Sequence, residues 1–183
     1  RIEPDAEVEQ IVAEAMKPYR QLLDGKVGTT GNILHRYGTL NSTMDDLLLK
    51  AVCAAAGVEI GFSNGWRYAA PIAAGPITKW DLYNIIPMNP AVSTVELTGE
   101  EMINMLEENL ERTFSSDPMK QVGGYAKRCH GISVKMRIEN PKGHRIQQLF
   151  VGDEPMDKKR SYKVAFITEQ GIPKKLGGKR MDL

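Results

Sequence analysis

The chain has 183 residues, of which 42% are hydrophobic and 26% charged, as expected for a soluble globular protein with one substantial domain. Its 24 Lys and Arg residues nearly balance 23 Asp and Glu residues, so the sequence does not predict a surface for nucleic acid. No apolar run reaches the roughly 18 residues of a membrane span. The first residue is Arg1, not methionine, and we expect the chain to be part of a longer polypeptide.

The two cysteines do not predict a metal site. Cys53 falls on the apolar side of a predicted helix, and Cys129 stands beside His130 without further clustered ligands. We therefore expect no metal to be bound by this chain.

The first 113 residues contain apolar residues at helical spacing. Pro18 is expected to kink or divide the first helix. Thr78 with Asp81, and Thr98 with Glu101, have the spacing of capping boxes. Helices are predicted over residues 5–23, 43–55, 78–83 and 99–113, with strands at 58–62 and 92–97.

Two charged groups on these helices have ordinary structural interpretations. Ser42 or Thr43 is expected to cap the second helix, and Asp45 and Asp46 then favour its positive end, which we prefer to a catalytic role. The fourth helix places Glu107, Glu108, Glu111 and Arg112 on its solvated face.

After residue 124 the apolar period changes to two, which is typical of strands. Strands are predicted at 132–139, 145–151 and 161–168. The pattern predicts an α+β single domain, with helices packed on a mixed sheet and a C-terminal antiparallel meander. We expect a linker helix over 1–25, one domain over 26–170 and a flexible tail over 171–183.

A polar turn, Ser63 to Arg67, follows the buried strand at 58–62. Gly65 permits a backbone conformation that other residues resist, and Arg67 offers a planar fork of donors for phosphate, sulfate or carboxylate. The alternative is that Arg67 pairs with a carboxylate and only holds the loop. Two prolines at 87 and 90 can fix the orientation of Met88 and Asn89, although Met88 can also belong to the core.

Several motifs, taken in order, resemble the C-terminal domain of the 5'-nucleotidase family of metallophosphoesterases over about residues 27–170. Within that family the chain most resembles the Sox-pathway thiosulfohydrolases of sulfur-oxidising bacteria, through Arg36-Tyr37-Gly38 and the segment from Phe114 to Pro118. The wider resemblance rests on Gly31-Asn32, Asn41–Asp46, Ser63–Arg67, Gly75–Thr78, Asp81, Pro87-Met88-Asn89, Leu97–Glu100, Gly123-Gly124 and Ser161–Ala165.

The resemblance implies that catalysis and substrate binding lie in different domains. In the family, two divalent metal ions (manganese-like) and the catalytic residues belong to a preceding metallophosphoesterase domain, which is also the expected partner. His35, His130 and His144 are scattered, which agrees with a chain that has no catalytic residues and no metal ligands of its own. We expect the chain alone to be inactive, as the substrate-binding part of a periplasmic hydrolase.

The family's substrate contacts carry over to named positions. Arg67 matches an arginine that contacts the substrate anion, and Arg36 matches a second arginine of this kind. Asn89 matches an asparagine that contacts the base of a nucleotide. Met88 stands where nucleotidases have an aromatic ring, and a second ring expected near 169–172 is missing. The substrate-binding residues implied are Arg36, Asn64, Gly65, Arg67, Met88, Asn89, Gly123 and Gly124.

Three functions remain open. The first is substrate binding in a two-metal hydrolase that releases sulfate from a protein-bound cysteine S-thiosulfonate. The second is the same role in a 5'-nucleotidase of nucleotide catabolism. The third is an anion-binding module without a catalytic partner.

Overall fold

The computed structural model describes residues 2–65, 70–85 and 90–183. The helices are α1 (Ala6–Leu23), α2 (Thr43–Ala56), α3 (Lys79–Ile85), α4 (Gly99–Phe114) and α5 (Thr168–Gly171). The strands are β1 (Lys26–Thr30), β2 (Ile60–Ser63), β3 (Gly75–Thr78), β4 (Ser93–Thr98), β5 (Arg128–His130), β6 (Ile132–Met136), β7 (Ile146–Val151), β8 (Glu154–Pro155), β9 (Ser161–Phe166) and β10 (Met181–Asp182).

The described backbone divides into two compact units, residues 2–34 with 70–85 and residues 35–65 with 90–183. In the first unit, β1 pairs with β3 in antiparallel fashion. Helix α3 begins with the predicted capping box, since the Thr78 amide donates to the Asp81 carboxylate at 2.7 Å and the Asp81 amide donates to the Thr78 hydroxyl at 3.2 Å. The domain boundaries predicted at residues 25 and 170 stay predictions.

Helix α1 is capped by Asp5, whose carboxylate accepts from the amides of Glu7 and Val8. The helix runs through Pro18 without dividing, so of the two expected outcomes only a kink stays a prediction. The proline removes one amide donor, but the surrounding turn is exposed and water can reach the freed carbonyl of Glu14. None of the residues of α1 is buried.

The second unit is built on a mixed five-stranded sheet in the order β10-β4-β9-β2-β5. Strand β9 pairs antiparallel with β4 and parallel with β2. Helices α2 and α4 pack against this sheet. The predicted α+β class and the mixed sheet are therefore confirmed.

The antiparallel meander consists of β6, β7 and β8. The segment predicted as its third strand, residues 161–168, forms β9 and lies inside the mixed sheet. Tyr162, Val164, Ala165 and Phe166 of β9 are buried, which is expected of a strand with neighbours on both sides.

The core of the second unit lies between α4, the mixed sheet and β7. Its fully or almost fully buried members are Ile60, Phe62, Val95, Leu97, Met102, Met105, Leu106, Leu149, Tyr162, Val164, Phe166 and Ile172. Helix α4 starts with the predicted capping box at Thr98 and Glu101.

Glu107 does not lie on a solvated face, contrary to the expectation from the sequence. Its side chain is buried and accepts hydrogen bonds from the amides of Gly143 at 2.9 Å and Ile146 at 2.6 Å. Glu111 pairs with the buried Arg145 at 2.5 Å. Two acidic residues of α4 therefore hold the start of β7 and the turn before it.

Residues 171–183, predicted as a flexible tail, contain Ile172, which is buried, and β10, which pairs with β4. The Gly177 amide donates to Glu101 at 3.2 Å, and Arg180 donates to the carbonyl of Pro173 at 2.6 Å.

Helices among the described residues are too short or too polar to cross a bilayer.

Candidate functional site

Gly65, two residues after the end of β2, has the backbone conformation that the sequence predicts. Gly65 is buried and has φ +64°, in the left-handed region that favours glycine. A Cβ atom at this position would lie 3.0 Å from Nε of Arg128 and 3.4 Å from Oδ2 of Asp45. Any side chain here would press on a charged pair, so glycine is required both by conformation and by space.

Arg36, Asp45 and Arg128 form a buried ion cluster under this turn. Asp45 Oδ1 lies 3.2 Å from Nη2 of Arg36, and Asp45 Oδ2 accepts from Nε of Arg128 at 2.8 Å. All three side chains are at most 2% exposed. Asp45 lies in the first turn of α2, as predicted, and also serves as the counter-ion of two buried arginines.

Ser42 departs from its predicted capping role. It stands at the N-cap of α2 without a side-chain capping bond. Its hydroxyl donates to Asp45 Oδ2 at 2.6 Å. Ser42 and Arg128 thus both donate to the same carboxylate oxygen of Asp45.

Burial lowers the pKa of Arg36 to about 10, against the opposing effect of Asp45. The side chain is charged at neutral pH, but its charge faces Asp45 inside the protein. The direct anion contact implied for Arg36 by the family resemblance stays a prediction.

A cleft of about 550 Å³, which we call the polar cleft, opens beside α4 in the second unit. It brings Asn64 and Gly123 together, although they are far apart in sequence. Its lining residues are Asn64, Asn104, Met105, Glu108, Asn109, Arg112, Val122, Gly123, Tyr125, Lys127, Glu169, Gln170, Pro173, Lys175 and Leu176.

Asn64 is held at the edge of the polar cleft by a hydrogen bond from its amide nitrogen to the side chain of Gln170. Its side-chain oxygen is buried and accepts no hydrogen bond from the described residues. Asn64 could therefore accept a hydrogen bond from a ligand in the cleft.

Lys127 is the most perturbed cation of the polar cleft. Its Nζ donates to the carbonyls of Gln170 at 2.7 Å and Gly171 at 2.8 Å. Burial, with a smaller effect of Arg112, lowers the pKa of Lys127 to about 8. The amine is therefore mainly charged at neutral pH and titrates just above it.

The polar cleft carries a modest excess of positive charge. Arg112, Lys127 and Lys175 face Glu108 and Glu169, and Arg112 already pairs with Glu108 at 2.7 Å. Such a surface can bind a ligand that has both an anionic group and polar groups.

No group of three or more His, Cys, Asp or Glu side chains in the described ranges is arranged to hold a metal ion. Burial raises the pKa of the Cys129 thiol to about 11, which keeps it protonated and weakly nucleophilic at neutral pH.

The structure places some of the predicted substrate-binding residues at the polar cleft and does not describe others. Asn64 and Gly123 line the polar cleft, Gly65 lies on the ion cluster, and Gly124 is exposed next to Gly123. Arg67, Met88 and Asn89 fall outside the described residues.

Sequence reasoning missed Tyr125, Lys127 and Asn109. The backbone amide of Lys127 donates to Asn109 Oδ1 at 2.5 Å, which joins the segment after Gly123-Gly124 to helix α4. Their position in the sequence could have identified Tyr125 and Lys127. They lie just after Gly123-Gly124, which the family resemblance implies to bind substrate.

The chain was compared with known families and proteins. Residues 25–168 match the family model of the 5'-nucleotidase C-terminal domain. A curated relative, the trifunctional nucleotide phosphoesterase protein YfkN of Bacillus subtilis (strain 168), is 29% identical over 118 residues, which are 64% of this chain and 8% of that protein.

Solved structures share the fold. The sulfate thiohydrolase SoxB of Thermus thermophilus, in complex with glycerol, has a TM-score of 0.86 and 28% identity over 98% of this chain and 34% of that chain. A 5'-nucleotidase precursor, also from Thermus thermophilus, has a TM-score of 0.77 and 21% identity over 96% of this chain and 37% of that chain, and this likeness concerns the fold alone. The chain thus spans little more than a third of either solved protein.

Proposed function

Because the chain belongs to the 5'-nucleotidase C-terminal domain family, we propose that it binds the substrate of a two-metal hydrolase whose catalytic domain precedes it. We further propose that the substrate is a cysteine S-thiosulfonate carried on a protein, from which the enzyme releases sulfate. The 28% identity to the thermophilic sulfate thiohydrolase over 98% of this chain supports this choice.

The observation that carries the proposal is the polar cleft. It combines cations at Arg112, Lys127 and Lys175 with the buried oxygen of Asn64, which accepts no hydrogen bond from the described residues. A cationic surface suits a sulfonate or phosphate group, and an amide oxygen suits an N–H donor such as a peptide amide. Asn64 and Gly65 lead directly into the segment that contains Arg67, for which we propose the main contact with the anion.

Hydrolysis of an anionic ester requires that the reacting centre be held in line with the attacking water. The metal ions, when bound in the preceding domain, supply that water. This chain would hold and orient the anion and contribute no acid, base or nucleophile. We therefore expect the 183-residue chain alone to hydrolyse neither a thiosulfonate nor a phosphate ester.

The surface of α1 supports a preceding domain as partner. Val8, Ile11, Val12, Tyr19 and Leu22 are each at least half exposed, although they recur at helical spacing. An apolar stripe of this size is typical of an interface. The periplasmic location expected from the family resemblance also belongs to this proposal.

Nucleotide hydrolysis is the second candidate, and Tyr125 favours it. This ring lines the polar cleft and could stack on a base, although the two rings expected from the family pattern are missing. The curated relative is a nucleotide phosphoesterase by name.

The test uses the full-length protein with its metal ions, assayed with a cysteine S-thiosulfonate peptide and with adenosine monophosphate. The proposal predicts sulfate release from the peptide and much slower phosphate release from the nucleotide. Rapid phosphate release with an inert peptide would establish the nucleotidase instead. Inactivity towards both would favour a binding module.

A pair of variants identifies the role of Tyr125. If a base stacks on this ring, Tyr125→Ala should weaken binding of adenosine monophosphate roughly two- to tenfold, while Tyr125→Phe should leave it unchanged. If the substrate is a thiosulfonate, both variants should bind sulfate as the wild type does.

A further inference from the structure

The buried ion cluster lies directly against the turn at Gly65. Arg128 belongs to β5, whose backbone pairs with β2 so that Arg128 lies opposite Ser63. Its side chain then passes under Gly65, where a Cβ atom would meet Nε at 3.0 Å. The backbone of the turn thus rests on a guanidinium group.

Asp45 determines where that guanidinium lies. Its Oδ2 accepts from Nε of Arg128 at 2.8 Å, and its Oδ1 lies 3.2 Å from Nη2 of Arg36. The remaining donors of Arg128 reach main-chain carbonyls, with Nη1 3.3 Å from that of Thr39 and Nη2 bonded to that of Gly38. The fork of Arg128 is therefore fixed on both of its edges.

We infer that Asp45 is a positioning residue, which holds Arg128 under Gly65 and so fixes the turn from which the chain continues to Arg67. The inference rests on the proposed function, because it gives the fixed turn the task of aiming an anion-binding arginine. A fixed starting point matters for a bidentate contact, since a guanidinium fork matches two oxygens in one orientation only.

The charges of the cluster make Asp45 sensitive to substitution. Two guanidinium groups share one carboxylate among the described residues. Asp45→Asn keeps the volume of the side chain but removes the negative charge that faces both buried cations. This variant is expected to have a much lower melting temperature, so a milder variant is needed beside it.

Gly65→Ala is that second variant. It leaves all three charges in place but introduces a side chain where φ is +64° and where the Cβ atom would be in tight contact, 3.0 Å from Nε of Arg128. Glu107→Gln is the matched control, because it changes another buried carboxylate of the same unit, one that holds Gly143 and Ile146 instead.

The experiment measures two properties of the full-length protein, well below the melting temperature of each variant. The first is hydrogen exchange at the amides of residues 63–65, followed by mass spectrometry with fragmentation. The second is the affinity for sulfate, measured by calorimetry.

Asp45→Asn and Gly65→Ala should each speed exchange at these amides at least tenfold and weaken sulfate binding about tenfold, as expected when a charged hydrogen bond is misaligned. Glu107→Gln should lower the melting temperature and change neither property.

Unchanged exchange at 63–65 in both Asp45→Asn and Gly65→Ala would overturn the inference. So would faster exchange with unchanged sulfate affinity, provided that Arg67→Ala does weaken sulfate binding. If Asp45→Asn does not fold, Gly65→Ala decides alone. Unchanged sulfate affinity in Arg67→Ala itself would instead refute the proposed anion contact, while the exchange rates still decide whether the cluster holds the turn.

Discussion

Helix α1 of the first unit and the mixed sheet of the second unit use their apolar residues in opposite ways. In the second unit, Phe62, Leu97 and Met102 are completely buried around the mixed sheet. In the first unit, α1 has a regular apolar stripe, yet none of its residues is buried. Helical periodicity therefore identifies an apolar face, but not what contacts that face. The second unit contains its own core, whereas α1 has a surface suited to a partner.

The largest expected effect is the loss of a core side chain in the second unit. Phe62→Ala removes a completely buried ring from β2 and should lower the free energy of unfolding by about 3–5 kcal/mol. Urea unfolding measures this change. A loss below about 1 kcal/mol would mean that the core is not closed around β2.

The polar cleft should respond to pH, whereas the apolar face of α1 should not. Lys127 has a pKa of about 8 in the fold, so it loses its charge as pH rises from 7 to 9. Sulfate affinity measured by calorimetry should fall about tenfold over this range if Lys127 contacts the anion. In Lys127→Met the affinity should be lower at pH 7 and nearly independent of pH.

Stability should change in the other direction over the same pH range. The pKa of Lys127 is lowered in the fold, so the folded chain binds fewer protons than the unfolded chain between pH 8 and the ordinary lysine pKa of 10.5. The contribution of Lys127 to stability therefore rises with pH. If sulfate binds more weakly at pH 9, the reason is therefore not that titration of Lys127 unfolds the protein. A wild-type affinity without any step near pH 8 would exclude Lys127 from the anion site.

A smaller effect is expected at the start of α4, within the second unit. Thr98 accepts from the Glu101 amide at 3.2 Å, and Glu101 accepts from the Thr98 amide at 2.8 Å. Thr98→Ala should cost about 1 kcal/mol in urea unfolding, while Thr98→Ser should cost little. Equal losses in both variants would assign the effect to the lost methyl group instead of the cap.

The same cap predicts a dependence on acid. The hydrogen bond from the Thr98 amide is the main cause that lowers the pKa of Glu101, and the Gly177 amide adds to it. A lowered carboxyl pKa stabilises the fold above the unfolded pKa of about 4.3, and this contribution is lost as pH falls through the folded value. The stability difference between the wild type and Glu101→Gln should therefore shrink on acidification.

The smallest expected effect tests the apolar face of α1. Ile11 is 60% exposed, so Ile11→Ser should change the stability of the 183-residue chain by less than about 0.5 kcal/mol. In the full-length protein the same change should cost about 1–3 kcal/mol if a preceding domain covers this face. Equal effects in both proteins would contradict the proposed interface and remove the contrast between the two units.

The sequence predicted those structural features that depend on residues close together in the chain. The capping boxes at Thr98 and Thr78 and the stripes of α1 and α4 follow from local spacing, and the structure confirms them. The mixed sheet and the α+β class followed from the order of helices and strands. The change of period after residue 124 also predicted β6 and β7.

The sequence could not predict contacts that depend on distant segments. Asp45 lies at a helix start as predicted, but its contact with Arg128 could not be predicted, because Arg128 is 83 residues away. Glu107 looked solvated, because the amides that bind it come from positions 36 and 39 residues later. Buried charges of this kind are decided by tertiary structure, which local spacing does not record.

The contact proposed for Arg67 is tested most directly by Arg67→Ala in the full-length protein, with sulfate affinity and melting temperature measured on the same samples. Losing a charged hydrogen bond usually costs about 1.5–3 kcal/mol, so sulfate should bind roughly ten- to a hundredfold more weakly. The melting temperature without ligand should stay close to that of the wild type. Arg67→Lys should also bind weakly, because it keeps the charge and loses the fork. A lower melting temperature with unchanged sulfate affinity would show that Arg67 only holds its loop, and would contradict the account.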